Sequence, residues 1–154
     1  MRLLEAAIRH PRLKADRRAI AAAVGLLDRY AGGFMGGCPP GDLSVAFLTD
    51  GALARLHGRF LDDASPTDVI TFAGDPALGQ AGEICVSADA ALRHAGGSAR
   101  DYSRELTLYV VHGWLHLAGY DDTAPAARRA MRRAESRAMR LLERSASIPR
   151  FKLA

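Results

Sequence analysis

Apolar residues along this chain follow two rhythms, short runs of β-like period and longer stretches of helical period, separated by glycine, proline and aspartate. Arg2–Ile8 reads as a first strand, although Glu5-Ala6-Ala7 suits a helix equally. Asp16 precedes Arg17–Tyr30, where Ile20, Val24 and Leu27 recur at helical spacing until Gly32-Gly33 stops the pattern, so a capped helix is predicted. The Gly36–Gly41 stretch, with Pro39 and Pro40, reads as a loop. Leu43–Leu48 predicts a strand, and Asp50-Gly51 opens a short helix through Leu56. After a polar loop over Asp62–Thr67, β-branched and aromatic residues predict strands at Asp68–Phe72 and Glu83–Val86, close enough in sequence to be neighbours in one sheet.

Everything beyond Ser87 reads as helical. Ser87 caps a helix to about Ala95, Ser98 or Asp101 caps a longer one through Leu117, and Gly119 supplies the left-handed residue at which helices end. Pro125 stands in the first turn of a last helix through Arg144. Met131, Ala134, Ala138 and Leu141 give that helix an apolar stripe, with Arg128, Arg132, Arg133, Arg137 and Arg140 on its other faces. The elements predict an α+β fold, a small mixed sheet of about four strands packed against helices.

The length of 154 residues, 49% of them hydrophobic, suits one domain over residues 1–154. No apolar run is long enough to span a bilayer. Glu5 and His10-Pro11 interrupt the first apolar stretch before a secretion signal forms, so a soluble, cytoplasmic protein without a membrane partner is expected. Cys38 and Cys85 have no cysteine neighbour at metal-binding spacing and are expected to be buried or idle thiols. Residues 124–154 carry nine Lys and Arg against two Asp and Glu, whereas the first 123 carry 12 against 15. Positive charge gathered in the last fifth of the chain offers a handle for a polyanion, or is a solvated helix face.

Chemistry concentrates in His112-Gly113-Trp114-Leu115-His116-Leu117-Ala118-Gly119-Tyr120-Asp121-Asp122. Two histidines four apart on a helix share one face, about 6 Å apart along the axis, which suits two imidazoles on one cation. Gly119 lets the chain turn back, so that Asp121 or Asp122 approaches the same point. Three protein ligands leave a position for water, the mark of a catalytic rather than a structural zinc site, here at the end of a core helix. The spacing matches the zinc skeleton of metzincin-type metalloproteases, but the glutamate base those enzymes need after the first histidine is Gly113 here.

The same run resembles the His-Gly-x-Leu-His-Leu-x-Gly-Tyr-Asp-His signature of the YbeY family of rRNA-maturation endoribonucleases. Upstream, Pro66-Thr67-Asp68-Val69-Ile70-Thr71-Phe72 is similar to the family's Pro-Thr-Asp-Val-Leu-Ser-Phe strand, Gly82-Glu83-Ile84 to its Gly-Asp-Ile strand, and Arg104-Glu105-Leu106 to its Arg-Glu-Leu helix start. The resemblance implies a metal-dependent, single-strand-acting endoribonuclease that matures the 3′ end of 16S rRNA and takes part in ribosome quality control. Its implied partners are rRNA or the small ribosomal subunit, a ribosome-associated GTPase and a small-subunit ribosomal protein. His112, His116 and Asp122 are the implied ligands of one Zn2+, with arginines holding the strand.

Two positions depart from the family pattern. Asp122 replaces the usual histidine, which lowers the charge of the site by one unit and makes a bound water less acidic. It also produces a two-histidine, one-carboxylate set that suits Fe2+ or another divalent ion. The arginine the family carries before its Pro-Thr-Asp strand aligns with Leu61, and Arg59, two residues earlier, is the candidate phosphate contact. His57, Thr67, Asp68, Trp114 and Tyr120 are weaker candidates, with core packing favoured for Trp114 and a turn-capping role for Thr67 and Asp68. No residue stands out as general base. A metalloprotease, a non-catalytic ribosome assembly factor with a structural metal, and an iron-dependent oxygenase are the competing readings.

Overall fold

The computed structural model describes residues 2–61 and 67–154, so most of the expected loop, Asp62–Pro66, lies outside the described residues. In chain order the elements are β1 (Leu4–Ile8), β2 (Leu13–Ala15), α1 (Arg17–Arg29), β3 (Asp42–Leu48), α2 (Asp50–Leu61), β4 (Val69–Ala73), β5 (Gln80–Ser87), α3 (Ala88–His94), α4 (Ala99–Ala118), α5 (Pro125–Arg144) and β6 (Phe151–Leu153). Local chemistry sets most helix starts. The side chains of Asp16, Ser87 and Ser98 accept hydrogen bonds from the backbone N–H groups of Arg18, Ala90 and Asp101, each filling one of the unpaired donors of a first turn.

Four strands form one mixed sheet in the order β1-β3-β5-β4. β1, β3 and β5 run parallel, and β4 closes one edge antiparallel to β5, the neighbour relation expected from the short connection between them. Alternation across the strands divides two cores. Leu43, Val45, Phe47, Ile84 and Val86 face a large cluster built with α1, α4 and α5. Ala46, Leu48, Cys85 and Ile70 face a smaller one closed by Leu53 of α2. The sheet is therefore buried on both faces, as parallel strands require.

Two expectations are corrected. α2 continues past Leu56 to Leu61, with Leu53 buried beneath it and Arg59 at the negative end of its dipole. The chain beyond Ser87 is not wholly helical, because β6 pairs antiparallel with β2, Leu13 opposite Leu153 and Ala15 opposite Phe151. Phe151 is buried against Phe47 with ring centroids 5.3 Å apart, and its backbone N–H donates to Ser103 Oγ. Three-residue strands carry too little alternation to be legible, and this pair is made by residues far apart in the chain. On α5 the stripe is also turned slightly from the expected one, with Leu142 fully buried and Leu141 only partly.

α4 lies unusually close to the sheet. A Cβ at Gly113 would stand 2.4 Å from Ile84 Cγ2, and one at Gly82 would stand 2.9 Å from Leu117 Cδ2. Helix and strand thus each contribute a glycine under the other's branched side chain. Trp114, fully buried, anchors the same helix on its far side. Its Nε1 donates to Asp28 Oδ1 at 3.0 Å, Phe34 meets its ring edge-on at 5.6 Å, and Asp28 is also paired with Arg2 at 2.7 Å. The core role expected for Trp114 is the one observed.

Both cysteines are buried and free. Burial pushes the Cys38 thiol up to about 11 and raises Cys85 as well, so both are expected to resist a thiol reagent at pH 8 until the protein unfolds, which reagent titration with and without denaturant checks. Gly113→Ala gains about 1 kcal/mol of helix propensity, yet overpacking against Ile84 typically costs about 1–3 kcal/mol. A lowered denaturant midpoint is expected, and a variant as stable as the parent would show that α4 and β5 separate easily.

Candidate metal centre

The motif helix ends where its sequence says it should. Gly119 adopts φ 116°, and its N–H and that of Tyr120 return to the carbonyls of His116 and Leu115, closing the last turn of α4 in a left-handed cap. The chain then doubles back. Asp121 takes the turn itself: its carboxylate accepts from the Thr123 hydroxyl at 2.7 Å and from the backbone N–H groups of Asp122 and Thr123. Those hydrogen bonds, led by the Thr123 hydroxyl, hold its carboxyl below the usual carboxylate range. Arg128 Nη1 donates to the carbonyls of Asp122 and Thr123 and ties the turn to α5.

With Asp121 engaged, Asp122 is the residue aimed at the histidines. Its Oδ2 lies 3.6 Å from His112 Nε2 and 3.5 Å from His116 Nε2. The two imidazole centroids are 4.8 Å apart with their planes at 80°. One donor atom from each of His112, His116 and Asp122 falls within 4.8 Å of the others, and all three side chains are partly exposed. Donors about 2.1 Å from a tetrahedral zinc ion stand roughly 3.4 Å apart, so the two carboxylate–imidazole separations fit one small divalent cation.

Glu135 completes the arrangement and was not singled out by the sequence. From α5 its Oε2 reaches His112 Nδ1 at 2.5 Å, with its side chain largely buried. A carboxylate on one ring nitrogen orients the imidazole and leaves the other nitrogen for an ion. The available signal was that Glu135 and Glu143 are the only acidic residues in a helix crowded with arginine, and Glu135 alone sits beside its apolar stripe.

A cavity of about 440 Å³ opens at this group, floored by α4 and walled by the edge strand β4. His57, Thr67, Asp68 and Tyr109 line it together with His112 and Asp122. Thr67 caps its turn as expected, its hydroxyl donating to the Val69 carbonyl at 3.3 Å, whereas Asp68 lines the cavity with its Oδ2 3.6 Å from His94 Nδ1. Arg59 is exposed in the last turn of α2 and does not line the cavity, although His57 two residues before it does. Arg137 is used within the protein, its guanidinium 5.3 Å from the Phe34 ring centroid and donating to the Gly33 carbonyl at 2.9 Å. Its Nη2 also reaches the Tyr120 hydroxyl at 3.4 Å. Arg132, Arg133 and Arg140 remain exposed on α5.

The clash that a Cβ at residue 113 would make with Ile84 bears on chemistry as well as packing. Glutamate at that position, the base of the metzincin-type peptidases, cannot enter without displacing the Ile84 side chain or the strand that carries it.

Comparison with known proteins agrees with the motif. The sequence profile described as Endoribonuclease YbeY matches residues 14–143. A Rhodopirellula baltica protein named Endoribonuclease YbeY is 40% identical over 110 residues, covering 69% of this chain and 56% of its own length. One of the same name from Chlamydia pneumoniae is 38% identical over 111 residues, covering 67% of this chain and 70% of its own. The chain therefore spans little more than half of the first relative. A Thermotoga maritima protein solved in solution shares the fold, with a TM-score of 0.59 at 20% identity over 96% of this chain and 93% of that one. From a profile that takes in both the histidine helix and the helix bearing Glu135, and from relatives matched over two thirds of its length, the chain belongs to the YbeY endoribonuclease family.

Proposed function

We propose that this protein is a metal-dependent endoribonuclease that cuts single-stranded RNA, acting in the cytoplasm on the 3′ end of 16S rRNA and in ribosome quality control. Residues 1–154 serve as one catalytic domain. The observation that carries the reading is the convergence of His112 Nε2, His116 Nε2 and Asp122 Oδ2 at the mouth of a cavity, with a side left open for water and substrate. Family membership supplies the substrate class. The small ribosomal subunit, a ribosome-associated GTPase and a small-subunit ribosomal protein are the partners that follow from it.

His112, His116 and Asp122 would hold the ion, and Zn2+ suits the donor set and spacing, with Fe2+ as the competing occupant. Such an ion supplies Lewis acidity toward a phosphoryl oxygen and makes water a stronger acid. The protein's own contribution is positional. Glu135 holds His112 in one orientation, and the Asp121–Thr123 turn presents Asp122. Asp122 brings one negative charge to a donor set that is otherwise neutral, which tightens the hold on a cation while moderating its acidity. Arg128 and Arg132 stand seven and three residues before Glu135 on α5, exposed on the helix face that carries it, and would favour a phosphate backbone there. Arg59, from α2, is the further strand contact.

Metal analysis and cleavage of a single-stranded RNA by the parent and by Asp122→Ala test the reading together. The parent is expected to carry about one equivalent of a divalent metal and to cut; the variant is expected to lose both while staying folded. Full cleavage by a metal-free Asp122→Ala protein would refute the site. If His112→Ala and His116→Ala proteins fold and keep their ribosome-related role in cells, the protein is an assembly factor instead. Glu135→Gln keeps the shape but removes the charge on His112, and chelator competition is expected to find affinity for the metal lowered about 10–100-fold.

A further inference from the structure

A hydrolysis in which water is the nucleophile leaves the ribose 2′-hydroxyl a spectator, so its chemistry alone does not separate RNA from DNA. That selection has to come from a contact with the sugar. Resting on the function proposed above, a group able to make such a contact stands on the cavity's other wall. Tyr109 lies three residues before His112 on α4, roughly 4.5 Å along the helix axis, and both side chains line the cavity. Asp68, the residue before β4, lines it too.

The Asp68 side chain is 41% exposed, and among the described residues it lies within ion-pair distance of His94, whose Nδ1 is 3.6 Å from Asp68 Oδ2. That nitrogen spends its hydrogen bond on the Tyr109 hydroxyl at 2.9 Å, whichever partner holds the proton. At 3.6 Å the carboxylate lies beyond hydrogen-bond reach. Arg93, the arginine next to His94, is paired with Asp50. Thr67 directs its hydroxyl to the Val69 carbonyl. Burial first, and then the Asp68 and Glu105 carboxylates, push the Tyr109 phenol up against an opposing pull from Arg93.

A carboxylate repels phosphate and favours a donor. Reading a base edge takes a matched set of donors and acceptors, whereas one carboxylate suffices for one hydroxyl. We propose that the Asp68 carboxylate accepts a hydrogen bond from a ribose 2′-hydroxyl of the strand bound in this cavity, and that this contact selects RNA over DNA.

Binding to the whole protein, with chelator present to prevent cleavage, isolates the contact. Fluorescence anisotropy would compare one labelled single-stranded sequence as all-ribose, all-deoxyribose and all-2′-fluoro. The fluoro strand keeps the RNA sugar pucker but removes the donor. The parent is expected to bind the ribose strand about tenfold or more tighter than either of the others, as befits one charge-assisted hydrogen bond. Asp68→Ala should bring the three within about threefold, with Asp68→Asn between. Equal binding of ribose and fluoro strands by the parent overturns the proposal without any variant, and so does a ribose preference that survives in a folded Asp68→Ala protein. Cleavage by the zinc-loaded parent is scored separately. No cleavage alongside an Asp68-dependent ribose preference removes the nuclease reading and keeps this contact, while cleavage without the preference does the reverse.

Discussion

The close approach of α4 to β5 is the constraint from which the rest of the site follows. Gly113 lies under Ile84, and Gly82 lies under Leu117, so the helix sinks onto the sheet at both ends of a four-residue step. A helix seated that deeply cannot roll, because Trp114 is pinned from behind by Asp28 and Phe34. With Gly113 facing the sheet, His112 and His116 fall to the flank beside the edge strand β4, where a cavity remains open. The glycine that permits this packing is also the position at which a peptidase would keep its base. One steric fact thereby shapes the scaffold and narrows the chemistry.

Charge is sorted with similar economy. α5 turns most of its arginines outward and one carboxylate, Glu135, inward onto His112. Arg137 lies on Phe34 and the Gly33 carbonyl, Arg128 on the turn that carries Asp122. Cations therefore brace the outside of the site, while Glu135, Asp122 and Asp68 make its inside negative. Such an interior suits a divalent ion and a sugar hydroxyl, and such a rim suits a phosphate backbone.

Local chemistry was legible in the sequence. Asp16, Ser87, Ser98 and Gly119 act on backbone groups within a few residues of themselves, so the helices they bound were predictable to within a residue or two. β-branched and aromatic residues marked Leu43–Leu48, Asp68–Phe72 and Glu83–Val86 as strands of the four-stranded sheet, and helical spacing put His112 and His116 on one face. Family resemblance added Asp122, a position that spacing alone shared with Asp121.

Other features belonged to the tertiary structure because their partners are distant in the chain. The β2–β6 pair joins residues from its two ends, and neither strand is long enough to show a period. Asp122 rather than Asp121 faces the histidines because Thr123 and two backbone N–H groups claim Asp121, a preference visible only once the turn is folded. Glu135 reaches His112 across two packed helices, and the cavity exists only because β4 stands at the sheet edge beside α4. Residue type and short-range spacing determined which groups were available for chemistry. Which of them meet was decided by long-range packing, since a contact between elements depends on the rotation and depth of each, and those are set by the whole core.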